Sequence, residues 1–144
     1  MSKPVNLMRE ALNTRVFRGF AYVAAAGCLF ATAGAAQSPS IALLDGLEKG
    51  AWEIRYRDST PPRRICVRSG FELVQLRHAG TACSKYAVEQ GTGDVTVQYS
   101  CKPNGFGRTK VRRETRALVQ LDGNGVEGGL PYQFAAEARR VGSC

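Results

Sequence analysis

The chain has 144 residues, 44% hydrophobic content, five cysteines, one histidine and a formal net charge of +8 at pH 7. That length holds one domain and leaves no room for a second of ordinary size. A lone histidine, with no CxxC pair, argues against a zinc site.

The first features along the chain are those of export. Lys3, Arg9, Arg15 and Arg18 stand against one acid, Glu10, and the run Gly19 to Ala36 follows without a charge. It closes on Ala33-Gly34-Ala35-Ala36 before the polar Gln37-Ser38-Pro39-Ser40. A basic end, an apolar core and a small-residue close make a secretory signal, so residues 1–36 are read as a leader cut after Ala35 or Ala36. Two alternatives keep the chain on a membrane. One is an uncleaved anchor, weakened because alanine and glycine dominate a run at the lower edge of spanning length. The other is lipidation of Cys28, since Ala25-Ala26-Gly27-Cys28 resembles a lipobox, with alanine where leucine is usual.

Of the 20 Lys+Arg and 12 Asp+Glu, residues 1–36 carry four and one. The mature chain of 108 residues therefore has a charge near +5 and keeps four cysteines, Cys66, Cys83, Cys101 and Cys144. An even cysteine count in an exported chain of this size reads as two disulfides.

Residues 37–49 read as a short helical or linker segment, with Ile41, Ala42, Leu43, Leu44 and Leu47 behind Ser40 as a helix cap. The remainder, residues 50–144, reads as the disulfide-stapled β domain. Ala51 to Arg57 alternates, with Trp52, Ile54 and Tyr56 on one face and Glu53, Arg55 and Arg57 on the other. Asp58-Ser59-Thr60-Pro61-Pro62 is a loop, because its two prolines supply no ladder donors. Arg63 to Arg68 is a short strand with Ile65 and Val67 opposite Cys66. Ser69 and Glu72 have capping-box spacing ahead of Leu73, Val74 and Leu76, which predicts a helix to about Arg77.

Cys83 to Cys101 then reads as one hairpin around Gly91-Thr92-Gly93-Asp94. Val95, Val97, Tyr99 and Cys101 share its inner face. After a turn at Lys102 to Gly107, the strand Arg108 to Glu114 is polar on both sides, which predicts a place near a sheet edge. Ala117 to Leu121 is short and apolar, and Asp122-Gly123-Asn124-Gly125 reads as a turn. Tyr132, Phe134, Ala136 and Ala138 alternate inward on the last strand. The fold predicted is an all-β antiparallel meander, as a small sandwich or partly open barrel, with one or two short helices and two disulfides.

Folding the hairpin about its turn sets Cys83 opposite Cys101, which leaves Cys66 for Cys144. The alternative, free or catalytic thiols, has no supporting motif. The entry Gly50-Ala51-Trp52-Glu53, then Arg64-Ile65-Cys66-Val67, the Cys83 to Cys101 hairpin and the close Arg139-Arg140-Val141-Gly142-Ser143-Cys144 together resemble domain of unknown function 3617, a family of small exported Gram-negative bacterial proteins. The resemblance implies a periplasmic location. Many of that family carry a methionine- and glycine-rich segment after the tryptophan strand, and this chain has none.

No residue pattern here names a reaction. His78 is the only histidine, so a triad or general base would have to use it; a surface or loop histidine is the simpler reading. No GxSxG elbow exists, and Glu72, Glu89 and Glu114 have no pairing that spacing supports. Gly91-Thr92-Gly93 and Gly123-Asn124-Gly125 are turn glycines rather than phosphate loops. No catalytic residue, metal ligand or cofactor is therefore assigned.

Arg55 and Arg57 on one strand and Arg108, Lys110 and Arg112 on another form a candidate anion-binding set, with Arg63 and Arg64 flanking Cys66. Charged rows of this kind also protect strand edges, and that is the plainer account. The function expected is a non-enzymatic binding or accessory module of the periplasm or cell envelope. It would use its basic face or an apolar cavity beneath Trp52, Tyr99 and Phe134. The alternative is a loop-based enzyme or enzyme inhibitor of the envelope. Candidate partners are anionic envelope components or another envelope protein; nucleic acid is disfavoured, and no membrane span is expected after cleavage.

Overall fold

Alternating apolar and polar residues become paired strands here because the chain supplies a turn between almost every two rows. The structure, a computed structural model, describes residues 41–144. The expected leader, the Cys28 alternative and the Ser40 cap lie outside the described residues. Seven strands form one sheet: β1 (Gly50–Tyr56), β2 (Arg63–Val67), β3 (Ser84–Gln90), β4 (Asp94–Cys101), β5 (Gly105–Thr115), β6 (Leu118–Glu127) and β7 (Leu130–Gly142). Every pairing is antiparallel, in the order β2-β1-β7-β6-β5-β4-β3. The all-β meander is thus present, with two short helices and two disulfides. The sheet does not close, so β2 and β3 are its two edges.

One face of the sheet is dry. Trp52 and Ile54 of β1, Ala136 and Ala138 of β7, Val119 and Leu121 of β6, Val111 of β5 and Val95, Val97 and Tyr99 of β4 are all buried. Helices α1 (Ala42–Asp45) and α2 (Phe71–Val74) and the 3₁₀ turn Leu76–His78 cover it with Leu43, Leu44, Leu73, Val74 and Leu76. Ile41 and Leu47, flanking α1, are buried too, so residues 41–47 belong to the core rather than to a linker.

Helices of four residues have no stability of their own, and tertiary bonds hold these two in place. The Trp52 indole donates to the Glu48 carbonyl at 2.9 Å, and Arg116 Nε donates to the Gly46 carbonyl at 3.1 Å. On the other side, Thr109 Oγ1 donates to the Val74 carbonyl at 2.6 Å and fixes the end of α2. The Glu72 carboxylate accepts from the Ser69 backbone at 3.2 Å and from its hydroxyl at 3.1 Å, as the capping pattern predicts. The helix expected to reach Arg77 is nevertheless interrupted at Gln75, which leaves helical geometry at φ −104°, ψ 43°. At α1 the capping position is Ile41, with no side-chain bond.

Three expectations are corrected. The strand read as near an edge, β5, is paired on both sides, to β4 and β6. Its Thr109 and Val111 are fully buried, because the threonine hydroxyl is satisfied by α2 rather than by water. Asp122-Gly123-Asn124-Gly125 is no turn but the middle of β6. The chain turns instead at Gly128-Gly129, whose φ values of 57° and 82° are those a two-residue hairpin connection demands. His78 is neither surface nor loop: it is 3% exposed, at the end of the 3₁₀ turn.

Both disulfides pair as read from the hairpin register: Cys83 with Cys101, Cα atoms 4.3 Å apart, and Cys66 with Cys144, 5.7 Å apart. The first closes the mouth of the β3–β4 hairpin. In the second, Cys66 and Gly142 both lie opposite Ala51, so the bond passes across β1 and ties edge strand β2 to the tail of β7. Each open edge therefore carries one covalent tie. Such bonds fit an oxidising, extracellular-type compartment, and no helix among the described residues is long and apolar enough to cross a membrane.

Loop-entropy arithmetic for separations of 78 and 18 residues gives about 4.5 and about 3 kcal/mol. Replacing the pair Cys66→Ala and Cys144→Ala is expected to lower the urea-unfolding free energy by more than replacing Cys83→Ala and Cys101→Ala. Equal or inverted costs would contradict the chain-entropy origin of that ranking.

Candidate functional site

The site begins with glycines inside strands. On the inner face, one cross-strand row runs Tyr99, Gly107, Gly125, Tyr132 across β4, β5, β6 and β7. The two central positions have no side chain, so the tyrosines lean over them from either side and their hydroxyls meet at 2.8 Å. A Cβ at Gly107 would strike the Tyr99 ring and the Tyr132 hydroxyl. In the next row Gly123 lies opposite Phe134, whose ring occupies the space a Cβ would need. Aromatic rings thus lie over backbone at this end of the sheet.

Beside them opens a cleft of about 330 Å³. Tyr56, Phe134 and Tyr132 form one wall. Tyr56 meets Phe134 edge-on at 5.9 Å between centroids, and Tyr132 lies nearly parallel to Phe134 at 6.3 Å. Arg63, Leu76, Arg77 and Glu127 line the cleft as well, and Asp58, Thr60 and Pro61 of the β1–β2 loop form its lip. Arg77 pairs with Glu127 at 2.6 Å and lies over the Tyr132 ring, 5.4 Å from its centroid. Arg63 donates to the Leu76 carbonyl at 2.7 Å, while its buried Nε has no hydrogen-bond partner in the protein. Hydrogen bonds from Thr60 hold the Asp58 carboxyl below its ordinary range.

His78 stands behind this wall and does not line the cleft. Its Nε2 faces the Asn104 carbonyl at 3.4 Å and its Nδ1 faces the Tyr99 hydroxyl at 3.3 Å. A carbonyl only accepts, so Nε2 carries the proton, and in the neutral ring Nδ1 accepts from Tyr99. Tyr132 then donates to the Tyr99 oxygen, which completes a buried chain from histidine to cleft wall.

The cationic candidates share the outer, solvated face, where each has a partner. Arg55 pairs with Glu53 at 2.7 Å, Arg108 with Glu89 at 3.0 Å, Lys110 with Asp94 at 3.1 Å and Arg112 with Glu114 at 2.7 Å. Arg57 donates to Gln120 at 2.6 Å and borders a more open depression together with Asp58 and Asp122. Strands β7 and β6 separate the two sets, roughly 14 Å at three strand spacings. The cross-strand row Asp94, Arg112, Gln120, Glu137, Arg55 sets each arginine beside a carboxylate, with the neutral Gln120 between the two pairs. Of the other two arginines, Arg64 turns outward to Glu53 at 3.5 Å and Arg63 turns inward to the cleft.

No family model, curated protein or solved structure matches this chain.

Trp52 and Tyr99 do not roof the cleft; both are wholly buried, and of the three aromatics expected around a cavity only Phe134 lines it. Sequence singles out neither Tyr56, Arg77, Glu127 nor Tyr132 as a site, and it groups Arg63 with the anion-binding set rather than with a cleft. The signal that points to them is a register: a two-glycine turn at Gly128-Gly129 sets Phe134 over Gly123 and Tyr132 over Gly125. Among the described residues no group of three or more His, Cys, Asp or Glu is placed to hold a metal ion.

Burial pushes the Tyr99 phenol far above the ordinary tyrosine value. Burial raises Tyr132 as well. In the unfolded chain Tyr99 ionises near its ordinary value of about 10, whereas in the fold it keeps its proton. The unfolded state alone loses protons above that pH, so stability is full below it and falls as pH rises. Ultraviolet difference absorbance during alkaline titration is expected to show Tyr99 ionising only together with unfolding. Reversible ionisation of every tyrosine with the fold intact would contradict this.

Proposed function

We propose that this chain is a non-enzymatic, exported binding module of the periplasm or cell envelope, and that it binds through the aromatic cleft rather than through its basic face. The observation that carries this reading is the cleft itself: a concave space of about 330 Å³ in which the partly exposed rings of Tyr56, Tyr132 and Phe134 share the lining with polar and charged residues. Convergent polar groups beside aromatic rings are what orient a small ligand. The outer cations support it from the other side, because groups already paired with neighbouring carboxylates offer little field to an anion.

Export is supported by the leader pattern of residues 1–36 and by two disulfides. The resemblance to domain of unknown function 3617 supports the periplasm in particular. Support for a non-enzymatic role comes from the candidate acid–base groups. Glu127 is engaged by Arg77, and His78 is held behind the cleft by Tyr99.

The test is a small-molecule fragment mixture added to the isotope-labelled mature chain and read by nuclear magnetic resonance. Fragments are expected to shift resonances of Tyr56, Tyr132 and Phe134, and the chain is expected to elute from heparin below physiological salt. Retention on heparin, with shifts along Arg108, Lys110 and Arg112 and none in the cleft, would overturn the reading in favour of the basic face.

A further inference from the structure

We infer that the ligand of this cleft is a neutral, hydroxyl-rich ring: a sugar unit such as those of envelope glycans. The inference rests on the cleft being the binding site and adds the chemistry of what enters it. Charge decides first. The cleft and its lip carry two guanidinium groups, Arg63 and Arg77, and two carboxylates, Asp58 and Glu127. An anion would meet the carboxylates and a cation the arginines, so neither gains a net field; a neutral ligand loses nothing by this balance.

The wall decides next. Tyr56, Tyr132 and Phe134 are partly exposed; Tyr132 and Phe134 lie nearly parallel, 6.3 Å between centroids, and Tyr56 stands edge-on to Phe134. The face of an aromatic ring is electron-rich and attracts weakly positive groups laid across it. A pyranose has such a face, because its ring hydrogens point up and down while its hydroxyls radiate around the rim. The hydroxyls of a ring seated there would point to the groups beside the wall. Those groups are both donors and acceptors: the Arg63 and Arg77 guanidinium groups, the Asp58 and Glu127 carboxylates and the Gln133 amide. A hydroxyl is both donor and acceptor, so it suits either kind.

One atom speaks against a purely apolar ligand. The Nε of Arg63 is buried, donates to nothing in the protein and belongs to a residue of the cleft. A buried donor left unpaired is costly, so a ligand oxygen brought to it relieves that cost. Hydrocarbon has no oxygen to give.

The experiment titrates the mature chain with maltose and N,N′-diacetylchitobiose, and in parallel with glucuronate, glucosamine and tyrosine as anionic, cationic and zwitterionic probes. Saturable shifts of Tyr56, Phe134 and the Arg63 Nε–H are expected with a neutral sugar, at an affinity unchanged by salt. Phe134→Ala is expected to weaken that affinity about tenfold, as the loss of an aromatic contact does, and Phe134→Tyr to keep it. Should Phe134→Ala fail to fold, Arg63→Met tests the same site from its polar side, with the same loss expected. Cleft shifts from a charged or zwitterionic probe, with none from either sugar, would overturn the sugar and leave the cleft as the binding site. A cleft silent to every probe, fragments included, would overturn both.

Discussion

The constraint on which everything else depends is that seven strands make one open sheet with a single dry face and two free edges. Such a sheet cannot bury its apolar row against a second sheet, and it has no closure to remove its edges. The chain meets the first need with two helices of four residues and a 3₁₀ turn laid on the inner face around Trp52. It meets the second with covalent bonds at both margins. Neither device would hold alone. The helices are too short to form unless the sheet beneath them is complete, and a domain this small has little core to spare.

The cleft exists because of what happens at one end of the inner face. There, strand glycines replace side chains, so Tyr132 and Phe134 close onto the backbone at Gly125 and Gly123 instead of standing into a core. The same substitution of glycine for bulk that lets the rings close in leaves their other surfaces toward the cleft. Tyr99, wholly buried, is the hinge between this end and the core. Its ring packs in the core, and its hydroxyl joins His78 to the cleft-lining Tyr132.

Period-two alternation and local turns made part of this fold legible in the sequence. The alternation Trp52, Ile54, Tyr56 and the hairpin between Cys83 and Cys101 with its disulfide concern neighbours in the chain or across one turn, and the distant pair Cys66 and Cys144 follows from them by elimination. The features that escaped a sequence reading depend on partners far away. Thr109 looks like an edge residue until Val74 accepts its hydroxyl bond. Gly123 and Gly125 look like turn residues until Phe134 and Tyr132 are known to lie over them. His78 looks exposed between Arg77 and Ala79 until Tyr99 closes over it. The partners of the basic residues, Glu89 for Arg108 and Gln120 for Arg57, come from other strands and cannot be read from spacing.

Native-state hydrogen exchange tests most directly whether short helices and sheet form one cooperative unit. The amides of Gly46 and Gln75 donate to the Ala42 and Phe71 carbonyls within α1 and α2. If these helices exist only as the cover of the dry face, both amides exchange at the rate of global unfolding, alongside those of Val111 and Leu121 in the sheet. Exchange of Gly46 and Gln75 through local opening, orders of magnitude faster than an intact sheet, would contradict the account.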